Sequence, residues 1–442
     1  MNVTIQPATL RGTITPPPSK SQAHRLIIAA ALAGGESVIS NVAFSQDILA
    51  TLSCMEQLGA RWEKTEEHVI RISGISAGQP LLGEDGLPHF DCGESGSTLR
   101  FLIPIALAVA GGGVFTGRGR LMERPQQPYF DLFDEKGIAY TLKDGVLTVR
   151  GCLEAGEYAL PGDVSSQFFT GLLYALSLAD GDSLISSTTQ LESVGYINMT
   201  RQAMAAFGVE SRWQRARTLQ IVGGQSYAPS VAAVEADWSQ AGFWYAAAGI
   251  GNDLKVTGMN ENSIQGDRVI LDWGQMLRDE PLGGVVVPIL GRPKDGTAAS
   301  QDAVKAEKRF GVSISVRFSP DLVPPLAAWG ALTPGCDLLI KHAERLRIKE
   351  SDRLASVTAV LNALGAQVTE KQDSLFIRGM ETLAGGVTVD SFNDHRIAMM
   401  AAIAATRCAA PVTITGAECV RKSYPDFWED YEMLGGQITR EG

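Results

Sequence analysis

The sequence predicts an α/β protein of two similar domains, each assembled from three copies of one repeat unit and joined by a two-stranded hinge. Three observations predict it. Six segments of the 442-residue chain share one pattern, the pattern recurs at near-constant spacing, and the two ends of the chain are complementary fragments of it.

Each segment opens on a small or polar, cap-like cluster and runs into an apolar, mostly alanine-rich helix. In chain order they are "PSKSQAHRLIIAAALAGG", "GESGSTLRFLIPIALAVAGG", "GDVSSQFFTGLLYALSLADG", "ADWSQAGFWYAAAGIG", "SPDLVPPLAAWGALTPG" and "NDHRIAMMAAIAATRC". They begin near residues 18, 93, 162, 236, 319 and 393, spacings too long for a solenoid of simple helical pairs. A short strand follows each helix, as in "SVIS", "GVFTG" and "VTITG". Next usually comes a second amphipathic helix ending in glycine, a natural left-handed C-cap, as in "ILATLSCMEQLGA" and "LASVTAVLNALGA". A pair of alternating strands closes the unit, as in "RWEKTEEHVIRISG" and "VTEKQDSLFIRG". The fourth unit departs from the pattern, because residues 272–318 carry no clear helix-plus-glycine ending.

The sixth unit ends at "MLGGQITREG" with no room for its closing strand, whereas the chain begins with an orphan strand at residues 3–14. One deficit fills the other. Residues 15–230 are therefore expected to form a first domain, and residues 1–14 with 231–442 a second. The two crossings fall near Pro16 to Pro18 and within residues 226–237, side by side as a hinge.

A net charge of −11 opposes a broad nucleic-acid or anionic-membrane surface, which needs a large positive field. The six cysteines form no CxxC pair and the five histidines no HExxH spacing, so reduced thiols and no metal are expected. The N-terminus lacks a basic-then-apolar leader. The longest uncharged run, "FLIPIALAVAGGGVFTG", is broken by Pro104 and three glycines and falls short of the roughly 20 apolar residues that span a bilayer. A cytoplasmic protein is expected. Neither a Walker A motif nor GxGxxG is present.

Chemistry collects at the starts of the alanine-rich helices, where free N–H groups and the positive dipole end favour anions. Unit one offers Lys20, Ser21 and Arg25; unit two offers Glu94 to Thr98 and Arg100, with Gly96 permitting close approach of a ligand. Unit three offers Ser165, Ser166 and Gln167, and unit six Asn393 or Asp394 as cap, then His395 and Arg396. A cation in a first helical turn is opposed by the dipole by about 0.3–1 kcal/mol. Bound anions would explain its placement.

The run "ERLRIKESDRL" adds Arg347, Lys349, Glu350 and Arg353. Leu354, Val357, Leu361 and Leu364 recur at helical spacing, so a helix is expected from near Lys349 with Glu350 on its buried stripe, not on a solvated face. Arg124 and Lys422 supply further cations. Asp321 and Glu350 are left as proton-transfer candidates, although a helix cap is the commoner role for an acid placed like Asp321. Many cations, serine donors, two acids and a closing hinge suit a reaction between two anionic metabolites, with water excluded on closure.

The motifs "PPSKSQAHR", "CGESGSTLRF", "MERP", "DVSSQF", "ESVGYI", "QGDR", "PDLVPPLA", "RIKESDRL", "NDHRIAM" and "RKSYPDF" arrive in one order along essentially the whole chain. As a set they resemble the 5-enolpyruvylshikimate-3-phosphate synthase family. The resemblance implies two domains of three βαβαββ units each, of the inside-out α/β barrel type. It implies enolpyruvyl transfer from phosphoenolpyruvate to the 5-hydroxyl of shikimate 3-phosphate with release of phosphate, without a cofactor. By motif, Lys20, Ser21 and Arg25 would meet shikimate 3-phosphate, the latter two chiefly at its carboxylate, and Ser165, Ser166 and Ser193 would hold its phosphate. Gln167 would touch both substrates and Tyr196 would pack against the ring. Lys20, Gly96, Arg124, Arg353, Arg396 and Lys422 would form the phosphoenolpyruvate site. Asp321 would be the base at the 5-hydroxyl with Lys349 beside it, and Glu350, Lys20 and His395 the remaining proton-transfer candidates. Removing Lys349 or Arg353 is then expected to abolish turnover with the fold intact.

Two positions depart from the family pattern: Glu94 and Arg345 stand where many members have Asn. Gly96 is retained, which implies sensitivity to glyphosate. A monomer is the family's usual state. The rival readings are an enolpyruvyl transferase acting on UDP-N-acetylglucosamine, whose reactive-cysteine motif is missing here, and an anion-binding protein without turnover. An RNA-processing relative built from similar repeats is opposed by the acidic charge.

Overall fold

A computed structural model describes residues 1–278 and 309–442. Much of the irregular fourth unit, residues 279–308, thus lies outside the described residues.

The alanine-rich segments are helices buried on every side, which marks them as core rather than surface elements. Lys20–Leu32, Gly96–Ala110 and Ser166–Leu176 lie in one apolar core; Trp238–Gly249, Val323–Ala331 and His395–Ala405 lie in another. The first core draws on residues from Ala23 to Val234, the second on Val3 to Ile14 and Trp238 to Leu434.

Around these helices stand mixed four-stranded sheets of one recurrent order. In the first core Glu36–Ser40, Gly112–Thr116 and Ser183–Ser187 each pair with one parallel strand and one antiparallel strand, and the latter carries the fourth. In the second core Cys336–Lys341 repeats that order between Phe310–Ser315 and Ser374–Arg378. Glu36–Ser40, Ser183–Ser187 and Cys336–Lys341 bury alternate residues, as the central strand of a one-sided sheet does, whereas Gly112–Thr116 is buried at four consecutive positions.

The last sheet shows how the ends of the chain meet. Asn2–Gln6 lies antiparallel between Val412–Thr415 and Gln437–Glu441, the place that a unit's own final strand takes elsewhere. Val3 and Ile5 enter the core there at 0% exposure. The strand expected over residues 3–14 is, however, two strands. Pro7, which has no N–H to give a ladder, follows the first, and Arg11–Ile14 instead runs parallel to Asp253–Val256 of the fourth unit.

The two crossings between the cores touch. Ser19 N donates to Glu235 O at 2.7 Å and Asp237 N to Pro17 O at 2.8 Å. Val231–Ala233 still pairs with Glu36–Ser40, so the return crossing falls at residues 235–237, beyond residue 230.

One helix crossing fixes the chemistry-bearing ends. Pro104 lies inside Gly96–Ala110 and cannot bond the carbonyl four residues earlier, that of Arg100. The Tyr129 hydroxyl shares its one hydrogen between that carbonyl, at 2.7 Å, and Phe168 O, at 3.1 Å, tying this helix to Ser166–Leu176. Gly171 makes the approach possible: a Cβ there would lie 2.5 Å from Arg100 O. Backbone cannot yield as a flexible side chain can. Gly171→Ala should therefore destabilise the protein by about 1–3 kcal/mol, whereas Gly34→Ala, where a Cβ meets nothing within 4 Å, should stay within about 0.5 kcal/mol. Urea unfolding of both variants checks the contrast.

Candidate active site

The two cores face each other across a cleft lined, among the described residues, by eight lysines and arginines and by three carboxylates, Asp47, Asp321 and Glu350. Lys20, Arg25, Arg100 and Arg124 come from the first half; Arg345, Lys349, Arg353 and Arg396 come from the second.

At one end, helix starts present hydroxyls. Ser165 caps Ser166–Leu176 by accepting from Gln167 N at 3.2 Å. Ser193 precedes Val194–Ala206 in the left-handed region at φ 53°, an unusual conformation for serine that turns it toward the same end. Arg345 Nη2 donates to Ser193 Oγ at 3.0 Å. Gln167 stands between the ends, accepting from Arg100 Nη1 at 2.8 Å and donating to Ser97 Oγ at 2.9 Å. Arg25 is buried, bonds Thr200 Oγ1 at 2.8 Å and lies 5.8 Å from the Tyr196 ring centre. Burial pulls its pKa down to about 10, which leaves it a cation. The Tyr196 hydroxyl reaches Asp267 Oδ2 at 3.3 Å across the cleft.

At the other end, Ser95 caps Gly96–Ala110 and brings Gly96 against Arg124. A Cβ on Gly96 would lie 2.8 Å from Arg124 Nη1. Lys20 Nζ is held by Asp47 at 2.7 Å. From the second half, Asp321 meets Arg353 at 2.8 Å, Lys349 at 3.4 Å and Arg396 at 3.5 Å, while Glu350 meets Arg353 at 2.7 Å and Arg124 at 3.7 Å. Neither ring nitrogen of the buried His395 has a hydrogen-bond partner among the described residues.

These contacts set the protonation states. Burial alone would raise the proton affinity of Asp321, but Lys349, Arg396 and Arg353 outweigh it and hold the carboxyl well below its usual range. For Glu350 burial is likewise outweighed, by Arg353, Arg124, His395 and Lys349. Burial foremost, with Lys20 and Arg396, holds His395 well below its usual value, so the ring is neutral at pH 7. Burial also lowers Lys349, against the pull of Asp321.

Several expectations change. The helix expected from near Lys349 begins at Arg353, because Asp352 caps it by accepting from Ala355 N at 3.2 Å. Lys349 and Glu350 thus sit in the turn before it and lean into the cleft. Asp321 caps no helix among the described residues; it lies in the turn Pro320–Leu322 with its carboxylate on three cations. Of Asn393 and Asp394, Asp394 is the cap, accepting from Arg396 N at 3.0 Å. Lys422 does not line the cleft: its ammonium is held by Glu94 at 2.6 Å and by Asn393 O at 2.7 Å. Arg353 is 1% exposed and joins Asp394, Asp321 and Glu350. Removing it strands the fully buried Asp394 carboxylate, which costs about 3–5 kcal/mol, so loss of activity with an intact fold is not expected there. The other expected residues, Lys20, Ser21, Arg25, Gly96, Arg124, Ser165, Ser166, Gln167, Ser193, Tyr196, Asp321, Lys349, Glu350, His395 and Arg396, all line the cleft with Arg353.

Asp47, Ser97 and Arg100 line it too. Asp47 carried no signal, since an acid in the first turn of Gln46–Gln57 reads as ordinary dipole complement.

Comparison with known proteins agrees with this architecture. A family model described as EPSP synthase (3-phosphoshikimate 1-carboxyvinyltransferase) matches residues 5–431. The chain is 43% identical to 3-phosphoshikimate 1-carboxyvinyltransferase of Clostridium acetobutylicum over 441 residues, covering 99% of this chain and 98% of that one. It is 43% identical to the enzyme of the same name from Clostridium kluyveri over 438 residues, with 99% and 98% covered. In fold it is similar to EPSP synthase from Acinetobacter baumannii, with TM-score 0.76, 23% identity, and 99% and 100% covered. The enolpyruvyl transferase NikO from Streptomyces tendae gives TM-score 0.73 at 17% identity, with 99% and 98% covered. The matched residues, the near-full-length identity and the shared two-core fold together place this chain in the EPSP synthase (3-phosphoshikimate 1-carboxyvinyltransferase) family.

Proposed function

We propose that the cleft transfers the enolpyruvyl group of phosphoenolpyruvate to the 5-hydroxyl of shikimate 3-phosphate, giving 5-enolpyruvylshikimate 3-phosphate and phosphate. The observation that carries this reading is the excess of cations over carboxylates in a cleft between two cores, with serine hydroxyls gathered at one end. Two polyanions can share such a site; one would leave cations unmatched.

In this reading Ser165, Ser166 and Ser193 hold the phosphate of shikimate 3-phosphate, Ser21 and Arg25 its carboxylate, and Tyr196 packs against its ring. Phosphoenolpyruvate lies among Lys20, Arg124, Arg353 and Arg396, against the backbone at Gly96. Gln167 stands between the two. Lys422 joins the phosphoenolpyruvate site only after leaving Glu94.

The chemistry follows from the charges. Phosphoenolpyruvate brings negative charge beside Glu350, offsets the cations that keep it ionised, and raises its proton affinity. Glu350 then takes up a proton from solvent and delivers it to the methylene carbon, and positive charge builds at C2. Asp321 takes the proton of the 5-hydroxyl as its oxygen bonds to C2, and Lys349 steadies Asp321. In the resulting tetrahedral intermediate the bond from C2 to the phosphate oxygen breaks, a methyl proton returns to the protein, and the double bond reforms. Lys20, aimed by Asp47, and the neutral His395 are the other groups placed to move protons. No step calls for a cofactor.

The same reading makes the protein a cytoplasmic monomer inhibited by glyphosate. No helix among the described residues is long and apolar enough to cross a membrane.

Phosphate release tests the acceptor. Purified protein with phosphoenolpyruvate should release phosphate with shikimate 3-phosphate and not with UDP-N-acetylglucosamine; the reverse would keep the reaction and overturn the acceptor, and release with neither would favour an anion-binding protein. Lys349, at 26% exposure, can be removed without stranding a buried network. Lys349→Ala should lower kcat by roughly a hundredfold or more at unchanged Tm. Gly96→Ala should displace the Arg124 guanidinium, raise KM for phosphoenolpyruvate by roughly tenfold, weaken glyphosate inhibition and leave KM for shikimate 3-phosphate unchanged. Steady-state kinetics of the two variants check both outcomes.

A further inference from the structure

The serine trio at the acceptor end offers neutral donors only, and a phosphate dianion out of water calls for a cation. Arg345 is the guanidinium bonded to that trio, through Nη2 to Ser193 Oγ. What holds it there comes from the opposite half of the molecule. Glu192, 3% exposed, is ion-paired through one oxygen with Arg345, whose Nε lies 2.6 Å away, and accepts from Arg317 Nη1 at 2.9 Å with the other. Arg345 Nη2 also reaches Arg317 O at 2.6 Å, which closes the group. Glu192 follows Leu191 of the first core, while the arginines adjoin Val316 and Leu346 of the second. The contact therefore spans the cleft. With Nε and Nη2 engaged, Arg345 Nη1 makes no hydrogen bond among the described residues, and the side chain lines the cleft.

We propose that Glu192 is a positioning residue for the acceptor's phosphate: it draws Arg345 across the cleft and orients its guanidinium so that the free edge meets the phosphate held by Ser165, Ser166 and Ser193. This rests on the acceptor assignment made above. Two roles for a carboxylate here predict opposite signs. One that only opposes an anion would, on removal, tighten acceptor binding. One that aims a planar fork would, on removal, weaken it, because arginine recognises phosphate through fixed geometry.

The test compares wild type, Glu192→Gln, Arg345→Gln and the double variant in phosphate release, each substrate varied in turn. Glu192→Gln should raise KM for shikimate 3-phosphate by roughly tenfold and leave KM for phosphoenolpyruvate within about twofold. In the Arg345→Gln background it should add little, since one residue acts through the other. An unchanged or lowered KM for shikimate 3-phosphate, an equal rise for both substrates, or full additivity would overturn the proposal. Should Glu192→Gln not fold, Arg345→Lys carries the test, because lysine keeps the charge without the fork: the same selective rise supports the proposal and an unchanged KM overturns it. Absence of wild-type turnover with shikimate 3-phosphate would overturn the acceptor assignment and this inference with it, whereas wild-type turnover with a normal Glu192→Gln variant overturns the inference alone.

Discussion

The site depends on one buried knot of charge. Arg353 sits between Asp394, Asp321 and Glu350 and joins all three. Two unit charges about 4 Å apart interact by roughly 4 kcal/mol in a partly buried setting, so Lys349, Arg396 and Arg124 gather beside Arg353 only because Asp321 and Glu350 stand between them. Asp394 serves twice: it caps His395–Ala405 and anchors the guanidinium. A secondary-structure cap thereby fixes the centre of the site.

The repeat explains how so many cations reach one place. Each unit buries an alanine-rich helix and turns its N-terminus, the end with unbonded N–H groups, toward the facing half. Lys20, Gly96, Ser165, Asp321 and His395 all lie at or just before such starts. Small side chains let these helices approach closely, as Gly171 does against Arg100, and the shared geometry places five different first turns around one cleft. In the proposed reaction, charge that develops at C2 would be met by groups already in position.

The fold was legible because its signals are local. Period-3.6 alanine runs, glycine C-caps and alternating strand pairs name the units, and the unfinished sixth unit points to the N-terminal strand. Pro7, which divides that strand, was visible too, but the partner of Arg11–Ile14 was not. The site was legible where a helix start and a charge coincide, as at Lys20 and Arg396. Partners distant in sequence were not: Asp47 for Lys20, Glu94 for Lys422, Asp394 for Arg353, Glu192 for Arg345. Each is an acid whose own neighbourhood suits a cap or a surface, and only packing decides which cation it meets. For that reason Asp321 looked like a cap and Arg353 looked dispensable to stability.

A crystal structure with shikimate 3-phosphate alone would show which end of the cleft takes which anion. The phosphate should lie within hydrogen-bond distance of Ser165, Ser166 and Ser193, with the carboxylate toward Arg25 and the 5-hydroxyl facing Asp321. A phosphate found instead among Lys20, Arg124 and Arg396 would contradict the division of the cleft into an acceptor end and a phosphoenolpyruvate end.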